Sequence, residues 1–249
     1  MSYKKVISRK AFTMIEMAVV ITVIALLVAG IMAVKSLRDK SRLQKVINDI
    51  ITYRAAIGQF KDIYNYYPGD FPYASTFWST ASNGTGDGII DWASSEDYRA
   101  WNHLGEKRAG LIKGYYTGAV ASASCGYLRG VNTPVTSIPN GVFVITREDA
   151  LYQYSNWDRI AGAIYLSSPR AADCGPNQAA VTPQDAYYID NKIDDGKAST
   201  GHVFAFRGME YFASAKCVDG TPSGASANYL FTDTTISCRM AFWLNDKTE

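Results

Sequence analysis

The chain has 249 residues, 25 basic and 23 acidic side chains, a formal net charge of +2, two histidines and four cysteines. Four of the basic residues, Lys4, Lys5, Arg9 and Lys10, precede the first apolar segment, and without them 21 basic residues face 23 acidic ones. That balance excludes the strongly basic footprint of a general nucleic-acid binder, and the 183 residues after position 66 suffice for one domain with its own core.

From Phe12 to Ala33 the only ionisable side chain is Glu16. As a helix this run reaches roughly 33 Å, enough to cross a bilayer. A cleavable secretory signal has a shorter apolar region with its small-residue cleavage site at the far end. Here the small-residue junction at the boundary, Ala11-Phe12, lies before the run, so cutting there removes the charges and keeps the helix. The basic residues ahead of the run predict a cytoplasmic amino end and an exported remainder. A carboxylate in lipid costs about 2.5–3.5 kcal/mol near the membrane centre and less near an interface. Glu16 therefore either snorkels to the surface or pairs with a cation, the obvious one being the amine freed by cutting before Phe12 on a neighbouring copy.

The helical pattern continues beyond the apolar run. Leu43, Val46, Ile47, Ile50, Ile51, Ile57, Phe60, Ile63 and Tyr64 recur at three- and four-residue steps, with Arg42, Lys45, Asn48, Asp49 and Lys61 between them. This predicts an amphipathic helix with one buried stripe, ended by Tyr67-Pro68-Gly69-Asp70. Ser94-Ser95-Glu96-Asp97 predicts a capped helix running towards Ile112, and Thr182-Pro183-Gln184-Asp185 a second one ending near Asp194-Asp195-Gly196. Strands are expected at 141–146, 161–167, 203–207, 229–231 and 239–244, and a surface loop at 218–227. An antiparallel sheet packed on the amphipathic half of the long helix is the economical arrangement.

Asn83-Gly84-Thr85-Gly86-Asp87-Gly88-Ile89-Ile90-Asp91 partly matches an EF-hand-type calcium loop. Asn83, Thr85, Asp87 and Asp91 offer side-chain oxygens and Ile89 its carbonyl, but the twelfth position, which calls for a bidentate Glu, is Ser94, and the nearby Glu96 is in the wrong register. The competing reading is a turn-rich loop in which Asn-Gly and Asp-Gly supply positive φ angles. Asp190, Asp194 and Asp195 read as a solvated helix end. Calcium is the only cofactor the sequence raises. Cys125, Cys174, Cys217 and Cys238 all fall in the exported part, where an even count suggests two disulfides, with three pairings open. His103 and His202 sit in segments that read as helix and strand. HExxH, GxSxG and P-loop sequences are missing, so an enzyme is not expected, although a glycosidase-type carboxylate pair needs no motif.

Arg9-Lys10-Ala11-Phe12-Thr13-Met14-Ile15-Glu16-Met17 resembles the processing signal of type IV pilins and type II secretion pseudopilins, with Ala11 where that family normally has Gly. The resemblance implies cleavage between Ala11 and Phe12 by a prepilin peptidase, N-methylation of Phe12, and a role for Glu16 in neutralising the amine of an adjacent subunit during assembly. It implies an α+β, pilin-like fold: a leader at 1–11, a transmembrane half-helix at 12–34, an amphipathic half-helix at 35–66 and a globular head at 67–249. It also favours a Cys217–Cys238 pair closing a terminal loop, which leaves Cys125–Cys174. The implied function is a major or minor pilin of a type IV pilus-like filament, with a type II secretion pseudopilin and an adhesive minor pilin as alternatives. Its partners are then other pilins and the inner-membrane assembly machinery. Tyr67-Pro68-Gly69-Asp70-Phe71, the 83–91 loop, Tyr98-Arg99-Ala100-Trp101 and the stretch 189–196 further resemble a group of poorly characterised prepilin-type bacterial proteins, to which no activity is assigned.

Overall fold

An unbroken helical periodicity over some fifty residues produces one long element, α1 (Met14–Tyr64), in the computed structural model of the chain. The structure describes residues 12–120, 126–147, 162–170, 175–207, 216–219 and 227–244. The chain divides into two compact units, Met1–Ser41 and Arg42–Glu249.

In the first unit, Met14–Ile31 has a mean hydropathy of 2.6 and none of it is buried. Among the described residues it is the one helical stretch long and apolar enough to cross a membrane.

In the second unit, α1 supplies Leu43, Val46, Ile47, Ile50, Ala56, Ile57 and Phe60 to the main core. Ile51 and Ile63, expected in the buried stripe, are 54% and 58% exposed. Each follows or precedes the stripe by one position, and one residue is a 100° turn away from the buried face. The helix also ends earlier than Pro68 requires. Asn65 takes a left-handed φ of 60° and its N–H donates to the Lys61 carbonyl at 2.7 Å, a helix-ending geometry that Asn tolerates better than most residues.

After the one-turn α2 (Ala74–Phe77), α3 spans Glu96–Leu104 and stops well short of Ile112. The Gly105 N–H bonds the Trp101 carbonyl, and the chain then folds back so that Leu111 and Ile112 both donate to Leu104. Ser95 sits at the start of α3 with φ 61° and makes no side-chain cap, contrary to the capped start expected. In α4 (Pro183–Ile193) the expected cap is present: the Thr182 hydroxyl accepts from the Asp185 N–H at 3.2 Å, with Pro in the first turn.

Among the described residues four strands, β1 (Val142–Thr146), β2 (Ala163–Ser167), β3 (Val203–Arg207) and β4 (Cys238–Trp243), form one antiparallel sheet in the order β1-β2-β4-β3. Residues 229–231 are not a strand; Tyr229 makes a single bridge to Val218. Phe143, Ile145, Ile164, Leu166, Val203, Ala205, Met240 and Phe242 face the core that α1 enters, where Tyr53 meets Phe143 edge-on at 5.4 Å. The alternate residues, with Tyr98 and Tyr127, make a second buried apolar cluster. The sheet is thus apolar on both faces, and all the residues of β1, β2 and β4 are buried. Arg239 lies within that second layer, its guanidinium 4.6 Å from the Tyr165 ring centre and 5.4 Å from that of Phe206.

Cys217 and Cys238 form a disulfide tying β4 to the segment before residue 220. Cys125 and Cys174 lie outside the described residues, as do 220–226 of the expected surface loop; its ends, Val218 and Ala227, are buried.

Candidate functional site

Two places gather the residues singled out by the sequence. The first is the start of α1. Ala11 lies outside the described residues, and Phe12 is 79% exposed. The Thr13 N–H and hydroxyl both donate to Glu16 Oε2, at 2.8 and 2.7 Å, and the Glu16 N–H donates back to the Thr13 hydroxyl at 3.3 Å. This is a capping box, Thr-x-x-Glu, whose spacing is already present in the sequence, and it satisfies donors at the start of α1. Glu16 Oε1 has no partner among the described residues, so capping uses one oxygen and leaves the other for a cation.

The second place is the loop 83–91, which is organised from outside. Asp70 and Glu96, both fully buried, project into it from the turn after α1 and from the start of α3. Asp70 accepts the N–H groups of Gly86 (2.6 Å), Asp87 (3.0 Å) and Gly88 (3.0 Å) together with the Thr85 hydroxyl. Glu96 accepts the Thr85 N–H and hydroxyl at 2.7 and 2.9 Å and the Asp91 N–H at 3.2 Å. Successive backbone N–H groups turned to one point make an anion cradle, and here the chain's own carboxylate fills it. Two glycines permit the approach. A Cβ at Gly84 would meet the backbone of Gly69 and Asp70 at 2.3 Å, and one at Gly69, whose φ is +93°, would meet the Glu96 carbonyl at 2.3 Å. Burial pushes both carboxyls above their usual range, partly offset by these hydrogen bonds.

Several of the expected calcium ligands accept nearby backbone N–H groups. Asn83 accepts from the Ser75 N–H, Asp87 from the Ile89 N–H, and Asp91 from the Ser94 N–H. Asp87 joins a convergent group of carboxylates whose oxygens, from Asp70, Asp87 and Glu96, lie within 4.8 Å of one another, and the Thr85 hydroxyl bonds two of its members. These three are the residues placed to hold a cation there, although the N–H donors already occupy Asp70 and Glu96. Sequence reasoning missed Asp70, which lies 13 residues before Asn83 with nothing local to mark it as a partner of the loop, whereas Glu96, five residues after Asp91, stands out as a nearby carboxylate in the wrong register for the calcium pattern.

The other polar groups singled out by the sequence are held by hydrogen bonds. His103 is fully buried between the Gly69 N–H, which donates to Nδ1 at 3.0 Å, and the Ser82 carbonyl, 3.1 Å from Nε2. Desolvation pulls it down to about 4, so it stays neutral. Asp190, Asp194 and Asp195 form a capped helix end rather than a wholly solvated one. Asp190 accepts from the Tyr229 hydroxyl at 2.7 Å, Asp194 from the N–H groups of His202 and Val203, and Asp195 from the Lys197 N–H. Asp97, buried at the start of α3, accepts from the Tyr127 hydroxyl, and desolvation raises it to about 7.

No protein-family model, curated protein or solved structure matches the chain.

Proposed function

We propose that the chain is a structural subunit, major or minor, of a type IV pilus-like filament with a pilin-like fold. It is made as a single-pass inner-membrane protein with its amino end in the cytoplasm, and a prepilin peptidase cuts it between Ala11 and Phe12. The mature subunit carries a methylated amine on Phe12 and joins other pilins in the periplasm or at the cell surface. The observation that carries this reading is α1. One continuous helix has a bare apolar segment with a single carboxylate, Glu16, and then a stripe buried in the core of an α+β unit. The apolar segment needs lipid or the same segment of other copies to cover it. Glu16, with one oxygen free, suits an amine brought by such a copy.

Intact mass and amino-terminal sequencing of the protein from its own host test the proposal. A chain beginning at methylated Phe12 is expected, and a chain still carrying residues 1–11 would overturn it.

A second reading, an adhesive minor pilin, draws on aromatic side chains of the second unit that stay more than half exposed. Tyr73, Phe77, Trp92 and Phe231 are 55%, 60%, 62% and 52% exposed, Tyr73 and Phe77 being braced by ring contacts to Phe71. It predicts filaments that persist without this subunit but no longer hold their target surface.

A further inference from the structure

Directly after its apolar segment α1 becomes basic. Residues 35–45 contain Lys35, Arg38, Lys40, Arg42 and Lys45, with Asp39 as the one acidic residue. Lys35, Arg38 and Lys40 are exposed, and none of the three has a hydrogen bond or ion pair among the described residues. Their position along the helix is informative. Placing the residues from Met14 to Val34 across the hydrocarbon layer uses about 30 Å of helix. Lys35 to Lys40 then cover the next roughly 7 Å, which is the thickness of the headgroup layer on one side. Their position around the helix is informative too. At 100° per residue Lys40 projects well away from Lys35 and Arg38, so the cations encircle the helix. A protein partner docking along one side favours a stripe; headgroups surround a helix on every side.

We propose that Lys35, Arg38 and Lys40 form a collar that seats α1 on anionic phospholipid headgroups. The collar rests on the membrane-spanning reading of α1 and adds a lipid preference to it. It also resolves a conflict in charge. The far flank of the apolar run is as basic as the near one, which by itself opposes export of that flank. Anionic headgroups on the exported side compensate those cations where they come to rest.

The test uses the full chain with the leader cations Lys4, Lys5, Arg9 and Lys10 replaced by Gln, so that the far flank alone is read, reconstituted into phosphatidylcholine vesicles carrying trace spin-labelled phosphatidylglycerol or phosphatidylcholine. The expected result is about fivefold enrichment of the anionic lipid in the motionally restricted shell, falling below about twofold in 0.5 M salt. The same fall is expected in K35Q/R38Q/K40Q, while K35R/R38K/K40R keeps the enrichment. Alkaline extraction of the same vesicles separates the two readings. A chain that resists extraction but shows no lipid preference overturns the collar and leaves the span standing. A chain that washes off overturns the span and the collar together. An enrichment that K35Q/R38Q/K40Q retains, or cross-linking of Lys35 or Lys40 to carboxylates of a second copy in place of enrichment, also overturns it.

Discussion

Glu16 serves the fold and the proposed assembly with different oxygens, and the two roles separate by substitution. Glu16→Gln keeps an acceptor for the Thr13 N–H and hydroxyl but removes the charge. If Glu16 only caps the helix, Gln is tolerated. Under the proposed pairing with an amine, Gln and Ala both leave membrane insertion intact and reduce incorporation into filaments at least about tenfold, as loss of a charge-assisted contact in a dry setting implies. Quantifying sheared filaments against membrane-extracted subunit checks this. Buried carboxyls set a second expectation at this scale. Burial raises Asp97 and Asp190 from 3.8 to about 7, so the folded chain holds protons that the unfolded chain releases. Their stabilising contribution is complete below about pH 4 and is lost as pH rises through about 7. His103 acts oppositely: lowered from 6.5 to about 4, it costs stability as pH falls below about 6.5. The melting temperature is therefore expected to rise as pH falls from about 8, most steeply between about pH 6.5 and 4.5, where the two Asp groups outweigh His103 by about one proton. In Asp97→Asn that slope falls by up to one proton, read from denaturant melts at several pH values.

Among the elements, the 83–91 loop shows how much a buried carboxylate organises. Asp70→Asn leaves some of three backbone N–H groups without an acceptor and is expected to destabilise the fold by about 2 kcal/mol. Asp87→Ala, at an exposed position whose side chain accepts from the Ile89 N–H, costs under about 1 kcal/mol. Denaturant titration followed by tryptophan fluorescence distinguishes them, and equal costs would contradict the cradle. The Cys217–Cys238 bridge closes a separation of 21 residues, worth about 3 kcal/mol by loop entropy, so Cys217→Ser should lower the unfolding midpoint accordingly. The elements themselves were legible to different degrees. Thr182-Pro183 announced α4 because cap and proline act within one turn. The end of α3 was overshot because Tyr98, Trp101, Leu104 and Ile112 share a helical spacing that the chain instead satisfies by folding back at Gly105. Tyr229–Phe231 has the composition of a strand, but beside the disulfide it finds only one bridge partner among the described residues.

For the whole molecule the proposed filament role makes a genetic prediction. Deleting the gene is expected to remove surface filaments, or the properties they confer, while exoprotein release continues; the opposite result favours the pseudopilin alternative. Ala11→Gly should raise the processed fraction of the chain, measured by intact mass, because Gly is the residue the resemblance expects before the cut. By itself the sequence determined what is local and periodic. The apolar run and its lone Glu16, the amphipathic stripe after it, the cap of α4 and four of five strand positions all depend on residues within a few turns or a few strand positions of one another. The tertiary structure alone decided which distant groups meet. Asp70 and Glu96 fill the backbone cradle of a loop whose own acids were the obvious ligands, His103 is locked between Gly69 and Ser82, and the sheet buries both of its faces. Those outcomes turn on desolvation and hydrogen-bond satisfaction between segments far apart in the chain, and these exist only once the core has closed.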